Sequence, residues 1–317
     1  MSMQDAEAHI KKAEAHILKA MSSREAYEEM ARKEAAVWSN QLVNPRLIEV
    51  RKKEQEAAIK LGLNDKNFSF PAWVKKNGRH FKQGLSVGCG AGRAERRLLE
   101  LKVCDSFHGV DIATEAIAEA QREAATHNYK CTYDIGDINF FDFGEAQYDL
   151  VVAQTSLHHL VYLENVFASI KRALIPGGIF WINDYVGESQ FQHSDLRLSI
   201  ANKVLSGIPE EFRKNHLNNQ IIEKVIRREP GTLVSPFESI RSGEIVRIAN
   251  ENFDLLDGQT WSAILHIVCP LGTRVNYLKN EESVALFRSI KLLDELLIQS
   301  GMLDGTSASL VFEKARV

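Results

Sequence analysis

The sequence predicts a doubly wound α/β fold, with a mostly parallel sheet and helices on both faces. Three observations support this prediction. Short apolar runs alternate with helical segments of about 10–15 residues from residue 84 to residue 186, the pattern of βαβ units. A glycine-rich turn follows the first run. Acidic residues stand after the second and third runs, at the sheet edge where such folds bind ligands.

Length and composition are those of a globular protein. The chain has 317 residues, 44% of them hydrophobic and 26% charged, with a net charge of -3. This balance excludes a disordered chain and predicts no large basic surface for nucleic acid. No apolar run is long enough to predict a membrane span. The cysteines match no metal or disulfide pattern, so reduced thiols and a cytoplasmic location are expected for Cys89, Cys104, Cys131 and Cys269.

Residues 1–80 are predicted to form a helical cap. Residues 1–35 are rich in Ala, Glu and Lys and contain no Gly or Pro, which favours one helix. An apolar stripe with coiled-coil spacing runs through Ala6, Ile10, Ala13, Ile17 and Ala20. The stripe is either the face by which the helix packs on its own domain or a contact with a partner, such as a second copy in a homodimer.

The core of the sheet is predicted within residues 81–187. Apolar runs predict strands at 84–89, 107–112, 131–135, 148–154 and 178–183. Between them, helices are predicted at 93–101, 113–126 and 163–174.

The alternation stops after Tyr185. Residues 188–250 are polar and helical in pattern, and are predicted to form an insert that covers the substrate. Residues 251–317 are predicted to complete the core, with the last two strands and an amphipathic helix at 281–300.

The glycine-rich turn carries the clearest chemical signal. Gly88, Gly90 and Gly92 stand between a buried strand and a helix. Glycine lets the backbone turn tightly and lets a ligand approach, and the start of the next helix offers free N–H groups. Asp111 ends the second strand, where an acid accepts hydrogen bonds from ribose hydroxyls. A nicotinamide or flavin site is the alternative, but its glycine spacing needs Gly at position 93, where this chain has Arg93.

With these motifs, residues 84–186 resemble the class I, Rossmann-like S-adenosylmethionine-dependent methyltransferases. Four signatures occur in order: Val87–Gly92, Asp111, Asp149–Val152 with Ser156–Leu160, and the turn Leu174–Gly178. The resemblance implies S-adenosylmethionine as cofactor, S-adenosylhomocysteine as product and no metal. It implies a cofactor site made of Gly88, Cys89, Gly90, Gly92, Asp111, Ile112, Asp137, Ile138 and Gln154.

The resemblance also implies a role for each part of this site. The glycines would approach the methionyl end, Asp111 would hold the ribose, Asp137 and Ile138 would meet the adenine, and Gln154 would face the sulfonium. The chain departs from the family pattern at one position. Many members carry an acid two residues before the first glycine, where this chain has Ser86. The usual partner of the methionine amino group is therefore missing.

Candidate catalytic residues follow the fourth and fifth strands. An alcohol acceptor must be positioned and must lose a proton to a base. The candidates are Asp184, His158, His159 and Tyr185. A structural interpretation stands beside each: Asp184 as a helix cap, the histidines as packing against the cofactor loop, and Tyr185 as lid packing.

The predicted substrate contacts are Phe191, His193 and Arg241. Arg241 is the candidate clamp for an acidic acceptor. A looser similarity, at Asn183–Gly187 and Ser235–Glu238, is to a bacterial methyltransferase group associated with glycan biosynthesis. It favours transfer to an oxygen of a small molecule or glycan, with a sugar-like or acidic acceptor.

Three other functions stay open from the sequence. The first is N-methylation of a small molecule. The second is a nucleic-acid methyltransferase, although the N-P-P-Y type of motif is absent at Gln154–Leu157. The third is a non-catalytic protein that keeps the methyltransferase fold and assembles through its N-terminal helix. No metal site is predicted, because no carboxylate cluster with magnesium spacing occurs.

Overall fold

The computed structural model describes residues 3–63 and 68–316. The strands are β1 (Phe81–Val87), β2 (Cys104–Asp111), β3 (Cys131–Ile135), β4 (Tyr148–Gln154), β5 (Leu174–Tyr185), β6 (Lys214–Asn215), β7 (Gln220–Ile221), β8 (Asp254–Trp261) and β9 (Ser307–Glu313). Seven of them form one sheet in the order β3-β2-β1-β4-β5-β9-β8. Strands β1 to β5 pair in parallel, and β9 pairs antiparallel with both β5 and β8. The predicted fold class is confirmed.

Helices cover both faces of this sheet. They are α1 (Met3–Met21), α2 (Arg24–Val43), α3 (Pro45–Lys60), α4 (Phe70–Lys76), α5 (Arg93–Glu100), α6 (Thr114–Thr126), α7 (Leu163–Ala173), α8 (Asp195–Ser206), α9 (Glu210–Arg213), α10 (Ile245–Asn252), α11 (Leu265–Val268) and α12 (Glu281–Gln299). None of the described helices is long and apolar enough to span a membrane.

The single helix predicted over residues 1–35 is two helices. Ser23 has an extended backbone, and its hydroxyl accepts the Ala26 N–H, so Ser23 caps the start of α2. Ala20 is fully buried and packs beside Tyr27 in a cluster that also contains Phe237. Part of the apolar stripe therefore packs on its own chain, whereas Ile10 is 46% exposed. The side chain of Ala6 lies outside the described part of the molecule. The homodimer remains a prediction.

Separate apolar clusters cover the two faces of the sheet, the main one through Leu85 and Val151 and the other through Leu150 and Val152. Strand register brings the strand ends together. Val87 pairs with Val110, and Gln154 pairs with Asn183. The residues that follow these positions in β1, β2, β4 and β5 therefore lie along one edge of the sheet. This is the edge at which the glycine-rich turn stands.

The structure distributes the helices of the two predicted C-terminal segments, 188–250 and 251–317, differently between the apolar clusters than the sequence predicts. Helix α10, inside the predicted insert 188–250, packs in the main core through Ile245, Ile248 and Ala249. Helix α12, predicted to complete the main core, packs instead in a second cluster with α8 and α11 through Phe287, Ile290 and others. An amphipathic pattern shows that a helix buries one face, but it does not show which helices that face contacts.

Candidate active site

A cleft of about 820 Å³ opens at the carboxyl edge of the sheet. This volume is in the range of about 300–1,000 Å³ that is typical of small-molecule sites. The glycine turn, the ends of β2 and β4 and the turn after β4 line one side, and α2 and α3 cover the other. The helical N-terminal region thus closes over the strand ends.

The glycine turn, Gly88–Gly92, leaves an open space against its backbone that side chains would fill, and this space is called the glycine cradle. Gly88, Gly90 and Gly92 all have positive φ, between +52° and +73°. A Cβ on Gly88 would stand 2.3 Å from the Cβ of Ser156. A Cβ on Gly90 would meet Leu42 of the cap at 3.3 Å. At both Gly88 and Gly90 the residue must therefore be glycine to keep the backbone conformation and the space.

Asp111 fixes the turn to the end of β2. Its Oδ2 accepts the Gly90 N–H at 2.8 Å, and its Oδ1 accepts the Ala113 N–H at 2.8 Å. Burial raises the pKa of this carboxyl, against the lowering effect of these N–H groups. Each oxygen keeps a lone pair for a further donor. Asp111 and Ile112 line the cleft.

Asp137 is engaged by the cap. The Tyr27 hydroxyl donates to its Oδ2 at 2.7 Å, and the backbone and side-chain N–H groups of Asn139 donate to Oδ1. Ile138, Gln154 and Cys89 also line the cleft. The structure therefore brings all the residues implied for the cofactor to one cleft, apart from Gly92, which stands at the end of the turn.

A histidine–aspartate pair lies at the end of β4. Thr155 has a φ of +52° and turns the chain sharply into the short helical turn Leu157–His159. His158 Nδ1 lies 2.5 Å from Asp184 Oδ1. Asp184 Oδ2 accepts the N–H groups of Ser156 and Leu157. The Asp184 side chain has no exposed surface and does not line the cleft, whereas His158 does.

The charges around His158 favour its protonated form. Burial by itself would lower the pKa of His158, but the carboxylates of Asp184, Glu238 and Glu34 raise the pKa above its ordinary value. His158 and Glu238 both line the cleft, and the Nε2 to Oε1 distance is 3.7 Å. This ring nitrogen is therefore available to a ligand.

His159 belongs to the same cluster. Its Nδ1 lies 2.9 Å from Glu34 Oε1, and its ring meets the edge of Trp38 at 4.9 Å between centroids. Burial opposes ionisation of Glu34, but His159 and the hydrogen bonds from Phe237 N–H and the Ser235 hydroxyl hold the pKa of Glu34 below its ordinary value.

The two histidines and Glu238 also form a set that could hold a metal ion. One ligand atom of each lies within 4.8 Å of the other two. Two imidazoles and a carboxylate suit zinc or a similar ion. The absence of a metal that the sequence predicts therefore stays a prediction.

Comparison with known proteins decides the class of the domain around this cleft. Residues 85–182 match the family described as "Methyltransferase domain". This stretch is a class I methyltransferase domain. It contains β1 to the centre of β5, and with them the glycine turn and the His158 turn. The predicted cofactor class, S-adenosylmethionine, is confirmed with it.

Curated relatives match about two fifths of the chain. The sterol 24-C-methyltransferase of Yarrowia lipolytica is 30% identical over 142 residues, which are 41% of this chain and 35% of that protein. The corresponding protein of Saccharomyces cerevisiae is 29% identical over 133 residues, 40% of this chain and 34% of that protein. The chain thus spans about a third of the length of these relatives.

Solved structures give broader but more distant matches. The N-methyltransferase NodS of Bradyrhizobium japonicum is 12% identical, with a TM-score of 0.43 over 89% of this chain and 98% of that chain. Phosphoethanolamine N-methyltransferase 2 of Haemonchus contortus is 19% identical, with a TM-score of 0.43 over 74% of this chain and 49% of that chain.

The cleft of the methyltransferase domain fits S-adenosylmethionine by its own features. The glycine cradle admits a ligand against the backbone. The Asp111 carboxylate retains accepting capacity beside it. A buried carboxylate, Glu95, lines the same cleft without a hydrogen bond to either oxygen. The cleft therefore offers both space and unsatisfied polar groups.

Three predicted acceptor residues lie away from this cleft. Tyr185 packs on Phe191 at 5.1 Å and on His266 at 5.7 Å between centroids, and burial raises its pKa. His193 Nδ1 lies 3.2 Å from Glu188 Oε2. Tyr185, Phe191 and His193 do not line the cleft and instead form part of the contact between β5 and the insert. Their position after β5 did not reveal that the chain turns away from the cleft.

Arg241 is a structural residue, which corrects its prediction as a substrate clamp. Its guanidinium donates to the carboxylates of Glu164 and Glu244 and to the carbonyl of Val161. It is 7% exposed and does not line the cleft. All the donors that a substrate would need are used inside the protein.

We expect Arg241→Ala to reduce the free energy of unfolding by about 2 kcal/mol, because it leaves a buried carbonyl and the Glu164 carboxylate unpaired and leaves Glu244 with Arg247 alone. Since Glu164 is 60% exposed, the loss stays well below that of a fully buried ion pair. The affinity for S-adenosylhomocysteine is expected to stay within about twofold. Chemical denaturation and calorimetry measure the two quantities, and a large rise in KM for an acidic acceptor with unchanged stability would restore the clamp.

Sequence reasoning missed most of the cap's contribution to the site. Tyr27, Glu34 and Leu42 reach the cleft from α2, and Arg51 reaches it from α3. In the structure Tyr27 and Glu34 are buried, although their neighbours in the sequence of α2 are charged. Their position in that sequence was the signal from which a packed face could have been predicted. It indicates a packed face but not what the face covers.

Proposed function

We propose that this chain transfers a methyl group from S-adenosylmethionine to a hydroxyl oxygen of a small molecule. The observation that carries the proposal is the His158–Asp184 pair beside the glycine cradle. It supplies a positioned base next to a cofactor cleft, which is what an alcohol acceptor requires.

The cofactor would lie along the strand ends. Gly88, Gly90 and Gly92, with Cys89, would border the methionyl end, and Asp111 would accept the ribose hydroxyls beside Ile112. Asp137 and Ile138 would border the adenine, and Gln154 would face the sulfonium. When bound, S-adenosylmethionine supplies the methyl group and the sulfide leaving group.

His158 would take the proton of the acceptor hydroxyl on Nε2. With its Nδ1–H donated to Asp184, the neutral ring presents Nε2 as an acceptor. Asp184, held by three backbone N–H groups, would fix the ring and stabilise the imidazolium that forms. Asp184 is thus a positioning residue in this proposal, and His159 is a neighbour that shares Glu238 with His158.

The charges at this end of the cleft favour a neutral or cationic acceptor over an acidic one. Glu34 and Glu238 bring carboxylates, while Trp38 and Phe237 bring aromatic surface. With Arg241 engaged elsewhere, the earlier reason for an acidic acceptor is lost. A sugar-like hydroxyl compound remains compatible with the proposed chemistry.

Carbon methylation is the second candidate, favoured by the relatives named sterol 24-C-methyltransferase. An alkene acceptor develops positive charge on carbon when it takes a methyl group. The Glu34 and Glu238 carboxylates and the ring of Trp38 would stabilise that charge. His158 would then take a proton from the methylated carbocation, which forms the double bond of the neutral product.

The test is a product analysis with the full chain. Labelled S-adenosylmethionine is supplied with matched panels of neutral hydroxyl compounds, amines, acids and sterol alkenes. Methyl ether products support the proposal, and a new carbon–carbon bond supports the second candidate. The reaction is repeated with a chelator and with added zinc, and activity that requires the metal would overturn the prediction of no metal. A chain that binds no S-adenosylmethionine contradicts both functions.

The pH dependence gives a sharper prediction. Since the base must be neutral, kcat at saturating cofactor is expected to rise with pH through a midpoint above the ordinary His value of about 6.5. Glu238→Gln removes a charge that raises the pKa of His158, so its midpoint should move to lower pH. Exposed Glu115→Gln is the control and should leave the profile unchanged. An identical profile in Glu238→Gln would argue against His158 as the base.

A further inference from the structure

The glycine side of the cleft contains a buried carboxylate without a partner. Glu95 lies in the first turn of α5 and is 1% exposed. Among the described residues, no donor meets ordinary hydrogen-bond geometry at either of its oxygens, although the Ser86 side chain lies close enough to lower the Glu95 pKa. Its side chain nevertheless lines the cleft, as does that of Ser86. An ionised carboxylate in such a place is strongly disfavoured unless a cation reaches it.

The surroundings of Glu95 leave its charge uncompensated. Burial raises the pKa of Glu95 to about 7, and nearby Ser86 and Arg96 oppose only part of the rise. Arg96 directs one nitrogen to the carbonyl of Ala91. The other titratable groups that face Glu95 are Asp111, Cys89, Cys131 and Tyr133. These four groups are acids that are neutral when protonated and negative when ionised, so none of them supplies a positive charge, and burial raises the pKa of each.

Two arginine side chains supply positive charge to the cleft. Arg51 of α3 and Arg93 at the start of α5 both line it. Burial lowers the pKa of Arg51, and the charge of Arg93 lowers it further, so an anion between them would relieve the repulsion. The cleft thus contains two cations, Arg51 and Arg93, in addition to the buried Glu95 carboxylate. The methionyl end of S-adenosylmethionine carries the matching groups, a carboxylate and an ammonium.

We propose that Glu95 binds the α-ammonium group of S-adenosylmethionine. It would replace in this role the acid that many family members carry at the position of Ser86. The inference rests on the proposed function, because it assigns one group of the proposed cofactor. The acid comes from the helix after the glycine turn instead of the strand before it. Since the Ser86 side chain is small and lies near the Glu95 carboxylate, the exchange leaves room for the longer side chain.

The test compares two ligands that differ only in the ammonium. Wild-type protein, Glu95→Gln and Glu100→Gln are titrated with S-adenosylhomocysteine and with its desamino analogue. Wild type should prefer the amino ligand by about 10–100-fold, the range for a hydrogen bond to a charged group. Glu95→Gln should lose this preference yet bind the desamino ligand as wild type does, which also shows that it is folded. Glu100→Gln, on the exposed end of the same helix, should keep the preference.

Two further arms separate the outcomes. Affinity of wild type for S-adenosylhomocysteine should increase from about pH 6 to about pH 7 as Glu95 ionises. The desamino ligand should lack that increase, since Asp111 and the histidines affect both ligands alike. Adding Ser86→Asp to Glu95→Gln should restore the preference. An undiminished preference in Glu95→Gln overturns the inference alone, whereas wild type that binds neither ligand overturns the proposed function with it.

Discussion

Replacing His158 with asparagine is expected to lower kcat by about 10²–10⁴-fold, the usual contribution of a general base. The asparagine amide can still donate to Asp184, so the buried carboxylate keeps a partner and the fold should hold. What the variant lacks is the Nε2 atom that faces the cleft. The affinity for S-adenosylhomocysteine should stay within about threefold, because the base acts on the acceptor.

Rapid quench kinetics at saturating cofactor measures the chemical step of this variant directly. His127→Gln is the matched control, since His127 is an exposed histidine at the end of α6 and should leave kcat unchanged. Added imidazole should restore part of the rate to His158→Ala, which leaves a cavity open to the cleft. A His158→Asn enzyme with kcat within about tenfold of wild type would exclude His158 as the base.

Gly90→Arg is expected to weaken binding of S-adenosylhomocysteine by at least about 100-fold. Gly90 has a φ of +52°, and its only close neighbour for an added Cβ is Leu42 of the cap. A long side chain would therefore occupy the cradle or push the cap away. Stabilisation of the protein by this ligand in thermal unfolding should disappear.

The control for backbone strain is Gly78→Arg. Gly78 has a φ of +58°, and an added Cβ there meets nothing within 4 Å. Both variants therefore carry a similar strain, of about 1–3 kcal/mol, and should lose a similar few degrees of Tm. Only Gly90→Arg should lose the ligand response. Equal ligand responses in the two variants would place the cofactor somewhere other than the cradle.

The sheet and the cradle were predictable because their signals are local. An apolar strand, a glycine turn and a helix occupy consecutive positions at β1 and α5, and the register of a parallel sheet then brings Asp111 to the same edge. The family match covers this stretch and confirms the class of the domain.

The acceptor side was not predictable in the same way, because it depends on packing between distant segments. Asp184 was correctly placed at the end of β5, but only the fold shows that its carboxylate is buried behind His158. Arg241 was chosen for its charge, yet two acids on other turns engage it. Glu95 stood in a charged run typical of an exposed helix, and its burial follows from how α5 packs on the sheet.

The contact of Glu34 with Phe237 has a consequence for the newly made chain. The carboxylate accepts an N–H that lies 203 residues further along the sequence. At about 5–20 residues per second, the ribosome needs roughly 10–40 s to supply that partner. Through that interval the apolar face of α2 has no Phe237 to pack on. Until Phe237 is made, the N-terminal helices therefore expose apolar surface to which chaperones can bind. Slow stretches of translation before residue 237 should lower the yield of folded protein.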